Sequence, residues 1–155
     1  MVKKRNLFII LILFQCTSSF AQQTTDEHNR LITPLWQMIA FSNYRHIYNS
    51  NKKLVPVFKP ELKVFDHKTV VLPGYIIAVK AGMMHEMFML SVLPVAQCAF
   101  CGAGSIPAMV EVHMHRPVEF TDRPVELRGI LTLNNSGDLR SEFYLMDAEM
   151  LRVMN

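Results

Sequence analysis

Much of the chemistry that a 155-residue chain could carry is ruled out by what this one lacks. Its apolar run Leu7–Phe14 is too short to span a bilayer as a helix. No G-x-S-x-G surrounds Ser91, Ser105 or Ser141, so the nucleophile elbow of a serine hydrolase is missing. Strand-like segments do not alternate with helical ones, which argues against a doubly wound sheet. Cysteine is scarce, with three in all, and there is a single tryptophan.

An excess of one charge is also missing once the N-terminus is set apart. Met1-Val2-Lys3-Lys4-Arg5, the apolar run and the small residues Ser19 and Ala21 have the layout of a secretory signal peptide, with cleavage expected after Ala21. The whole chain carries 16 basic and 13 acidic residues. Lys3, Lys4 and Arg5 leave with the leader, so residues 22–155 are neutral with neutral histidines. Nucleic-acid binding, which needs a basic patch, is therefore not expected. The expected product is an exported or periplasmic single domain of residues 22–155 with no transmembrane segment. Cys16, just after the apolar run, raises the alternative of an outer-membrane lipoprotein.

What is present is read in chain order. From Leu31 to Tyr48 apolar residues recur at helical spacing (Ile32, Leu35, Trp36, Ile39, Ala40, Tyr44, Ile47), which predicts one amphipathic helix over 31–48, with Trp36 a core anchor and Pro34 in the first turn. Residues 55–60 are extended, and their two prolines disfavour a central strand. A turn is expected at 66–68. Strands are predicted at 69–79, 83–91, 109–115, 125–133 and 141–145, with 147–153 a short helix or strand. Pro73-Gly74 marks an edge, a bulge or a sharp bend in the first of these. Residues 94–107 read as a loop, 117–124 as a connection, and Asn134–Asp138 as a turn. The pattern predicts a mainly β fold, a small, strongly bent OB-like β-barrel with an N-terminal covering helix. An irregular α+β sandwich is the alternative.

Candidate chemistry concentrates in Cys98-Ala99-Phe100-Cys101-Gly102 and the segment that follows. Two thiolates two residues apart can chelate one ion, and a tetrahedral zinc site then needs two further ligands. In a strand, Glu111, His113 and His115 share one face, opposite Val110, Val112 and Met114. Cys98, Cys101, His113 and His115 are therefore the candidate metal ligands, with zinc the expected ion. Copper is a second choice, because Met83, His85, Met87 and Met89 share a face if 83–91 is a strand, and thioethers suit copper(I). The same cysteine pair also suits a structural disulfide or a thiol–disulfide oxidoreductase. The residues after it, Gly102-Ala103-Gly104, make a poor helix start, and the dipole that activates thioredoxin-like cysteines is not expected.

Five short blocks carry a resemblance: Pro73-Gly74-Tyr75-Ile76, Phe88-Met89-Leu90-Ser91, Cys98-Ala99-Phe100-Cys101-Gly102, Val110-Glu111-Val112 and Gly129-Ile130-Leu131-Thr132-Leu133. In this order they resemble an uncharacterised family of small exported proteins of Bacteroidetes and related bacteria, over about Leu35 to Glu149. Ala78 stands where that family's first block has a proline. The resemblance implies a secreted or membrane-tethered protein, linked in some relatives to metal transport, with no established catalysis. The resulting expectation is a non-enzymatic periplasmic binding or scaffolding module. Its partner would be a protein or a membrane-associated transporter, and its C-x-x-C loop would be structural or metal-binding.

Overall fold

The computed structural model describes residues 31–40, 44–94, 108–138 and 141–154. The chain divides into two units, 1–31 and 32–155, and the architecture below belongs to the second. The expected leader and Cys16 lie outside the described residues. Among those described, no helix is long and apolar enough to cross a membrane.

Among the described residues the elements run, in chain order, α1 (Pro34–Ala40), β1 (Tyr44–Tyr48), β2 (Leu54–Phe58), α2 (Pro60–Lys63), β3 (Lys68–Ala78), β4 (Met84–Ser91), β5 (Met109–Glu119), β6 (Val125–Leu133) and β7 (Phe143–Val153). Strands β3 to β7 close into a barrel in the order β3-β4-β5-β7-β6, while β1 and β2 form a separate antiparallel ribbon. All barrel pairings are antiparallel except β5 with β7. This is the five-stranded, OB-like barrel that the strand pattern predicts, with a helix ahead of it.

The predicted helix over 31–48 is corrected. Thr33 caps α1, its Oγ1 accepting from Trp36 N at 3.2 Å with Pro34 at the first helical position, and the described helix is Pro34–Ala40. Tyr44–Tyr48 instead pairs as a strand with Leu54–Phe58. A five-residue run of tyrosines and isoleucine with two polar residues satisfies either period, and a nearby partner strand decides it. Leu35, Trp36 and Ile39 are buried, as the helical stripe requires. The Trp36 indole N–H donates to the Pro73 carbonyl at 2.7 Å, which ties α1 to the barrel wall.

Pro73 and Gly74 mark the point where β3 changes partner. Through Gly74 the strand pairs with β6, and from Tyr75 onward with β4. A Cβ on Gly74 would lie 2.8 Å from both Leu90 Cγ and the Ser91 carbonyl oxygen, so only glycine lets the two strands approach this closely. The core beneath is apolar and tightly filled: Leu72, Phe88, Leu90, Val110, Val112, Val125, Leu127, Leu131 and Leu145 are fully buried.

Two further boundaries differ from expectation. Strand β5 continues through Pro117 to Glu119, so 117–119 is not part of the connection. Residues 143–153 form one strand, not two elements. The apparent break at Asp147 is a bulge: Arg128 faces Glu149 and Ile130 faces Met146, so Asp147 and Ala148 together oppose Gly129. Asp147 takes a φ of 51° there. The extra residue shifts the alternation, so that Phe143 and Leu145 point inward before it and Ala148 after it.

Candidate functional site

The antiparallel ladder between β4 and β5 starts as a regular one. Ser91, Leu90, Met89, Phe88 and Met87 face Met109, Val110, Glu111, Val112 and His113 in turn. The next pair is His85 with Val118. Between these pairs β4 has one residue, Glu86, and β5 has four, Met114 to Pro117. The two strands part here, and the barrel wall opens into a depression of about 560 Å³. His85, Glu86, Met87, His113, Met114 and Pro117 line it, with Lys80 and Ala81 from the β3–β4 turn and Met84 at the start of β4.

The same irregularity reverses the alternation in β4. His85, Phe88 and Leu90 are buried, while Met87 and Met89 are half-buried. The sequence-based grouping of Met83, His85, Met87 and Met89 on one face is therefore corrected. Met83 precedes β4 and is 63% exposed, and His85 turns into the protein at 4% exposure. The Phe120 ring packs edge-on against the His85 ring, with centroids 6.1 Å apart. His85 Nε2 is buried and has no hydrogen-bond partner among the described residues. An unsatisfied buried nitrogen costs about 1–3 kcal/mol, and most buried polar atoms avoid it.

Outward from the opening, β5 presents the face that its alternation predicts. Val110 and Val112 are buried, and Met114 packs against the core. His113 and His115 face outward, and each holds a carboxylate. His113 Nε2 lies 2.8 Å from Glu111 Oε1 on its own strand, and His115 Nδ1 lies 2.7 Å from Asp147 Oδ1, which the bulge of β7 brings across. The Tyr144 ring leans on His113 at 5.9 Å between centroids. A hydrogen bond from one ring nitrogen to a carboxylate fixes the tautomer and aims the other nitrogen outward, an arrangement common around metal-ligating histidines.

Of the four metal ligands expected from sequence, His113 and His115 are thus placed on one outer strand face. Cys98 and Cys101 lie outside the described residues. Among the described residues, no group of three His, Cys, Asp or Glu side chains could hold a metal ion. Strand alternation alone puts His85 on one face with Met83, Met87 and Met89, and only the local loss of register reveals its burial. A histidine among methionines was the available signal. No family model, curated protein or solved structure matches the chain.

Proposed function

We propose that this is a non-enzymatic, exported binding module that takes its ligand on the face of β4 and β5, where the barrel wall opens. One observation carries the reading: four residues of β5 oppose one of β4, beside a lined depression and a buried imidazole whose Nε2 has no hydrogen-bond partner among the described residues. Bulges of this kind gather next to binding sites because they re-aim side chains that a regular ladder would fix. In OB-like barrels the second and third strands and the loop joining the first two form the usual binding face. Here those are β4, β5 and the β3–β4 turn, all of which contribute to the depression. The leader-like N-terminus and the resemblance to exported proteins support an extracytoplasmic location.

The test uses methionine as its own probe. Protein carrying 13C-methyl methionine is titrated separately with zinc(II), silver(I), a mixture of oligosaccharides and a mixture of short peptides. At least one probe should shift the methyls of Met84, Met87 and Met114 while leaving Met146 and Met150 of β7 in place. Shifts confined to β7, or none with any probe, contradict the assignment.

A second reading is a zinc site formed by Cys98, Cys101, His113 and His115, and the two carboxylate-held imidazoles of β5 favour it. His113 stands four residues, about 13 Å, along β5 from Met109. The eight residues from Cys101 to Met109 can reach up to about 28 Å, so chain length permits the contact. Metal analysis with a thiol count on purified protein tests this. One zinc per chain, lost in Cys98→Ser, supports it; a metal-free protein in zinc-replete buffer contradicts it.

A further inference from the structure

The donors around the opening are of one chemical kind. His85 brings an imidazole nitrogen and Met87 and Met114 bring thioethers, with a third thioether at the rim on Met84, which is 59% exposed. Thioether sulfur is an uncharged, soft donor that holds copper(I) well and hard or borderline divalent ions poorly. The two charged side chains that also line the opening, Lys80 and Glu86, are opposite in sign. They leave no net negative charge to offset the desolvation of a divalent ion, whose cost rises with the square of its charge.

His85 supplies the second, independent indication. His85 lines the depression with its ring edge-on to Phe120, and among the described residues its buried Nε2 has no hydrogen-bond partner. Leucine would fill the space with no unsatisfied nitrogen. A metal ion accepts the Nε2 lone pair and removes that cost, which packing alone does not explain.

We propose that the opening between β4 and β5 binds one soft monovalent metal ion, copper(I) or its analogue silver(I), through His85 Nε2 and the thioethers of Met87 and Met114. The inference rests on the binding-face reading above and names the ligand class of that same face. It differs from the zinc reading in its residues, since neither cysteine takes part.

The experiment removes the competing thiolates first. The full chain with Cys16, Cys98 and Cys101 all changed to Ser is titrated with silver nitrate, with methionine methyl and histidine side-chain NMR as the readout. One equivalent should bind, shifting the Met87 and Met114 methyls and the His85 imidazole, and zinc(II) should leave all three in place. Adding Met87→Leu and Met114→Leu, which conserves volume and removes the sulfurs, should weaken silver binding at least about tenfold, or about 1.4 kcal/mol. An unchanged amide spectrum would show that the fold is kept. Silver that leaves these side chains unmoved, or that binds equally well to the double leucine variant, overturns the soft-metal assignment. If an oligosaccharide or peptide then shifts the same methyls, the binding face stands and only the ligand class falls. If no probe shifts them, both fall.

Discussion

Along the β3–β6 seam seven consecutive pairs run from Lys68 with Leu131 to Gly74 with Val125, whereas the β4–β5 seam loses register between His85 and Met87. Both seams belong to one closed barrel. The unbroken seam has inward-facing Val70, Leu72, Val125, Leu127 and Leu131, all buried and apolar. At the interrupted seam a histidine is buried, methionines gather and the wall is open. A continuous ladder with an apolar inner face contributes to stability and leaves no room for a ligand. The interruption gives up ladder hydrogen bonds and places polar and soft side chains together, as expected where function sets the local sequence.

That contrast can be broken most severely at the glycines of the tight walls. A Cβ on Gly129 would lie 2.8 Å from Leu145 Cγ and 2.9 Å from the Met146 carbonyl oxygen. Gly129→Val and Gly74→Val should each lower stability by about 3 kcal/mol or more, read from chemical denaturation midpoints. A loss below about 1 kcal/mol at both would mean that the strands are not packed this closely. Trp36 comes next. Trp36→Phe keeps most of the buried ring but leaves the Pro73 carbonyl without its donor, at an expected cost of about 1–3 kcal/mol.

At the interrupted seam the expected sign changes. His85→Leu removes a buried nitrogen that has no hydrogen-bond partner among the described residues, so apo-protein stability should stay level or rise by up to about 1 kcal/mol, while silver binding is lost. A large destabilisation together with intact silver binding would make His85 an ordinary core residue. The smallest effect belongs to the surface. The Arg128–Glu149 ion pair at 2.7 Å is more than half exposed on both sides, and Arg128→Ala should change stability by no more than about 0.5 kcal/mol.

How much of this was legible beforehand depended on how local its cause is. Strand β6 could be read from residue to residue, because alternation over Val125–Leu133 and the Asn134–Asp138 turn are both local signals. A special role for Gly74 in β3, the core role of Trp36 and the inner and outer faces of Val110–His115 were likewise readable. The end of α1 was not, since Tyr44 and Ile47 continue a helical period by coincidence and the partner that makes them a strand begins six residues after Tyr48. His85 was misplaced for a related reason: its orientation is set by four residues of β5 that lie about thirty positions further along. Asp147 looked like an element boundary because a residue at positive φ interrupts alternation without ending the strand.

Silver-soaked crystals give the most direct reading of the central claim, because anomalous scattering locates the ion without assuming its ligands. Our account predicts a peak at the β4–β5 opening, within bonding reach of His85 Nε2 and the sulfurs of Met87 and Met114, whether or not a second peak appears at Cys98 and Cys101. Silver density only at the cysteines, with the opening empty, would contradict it.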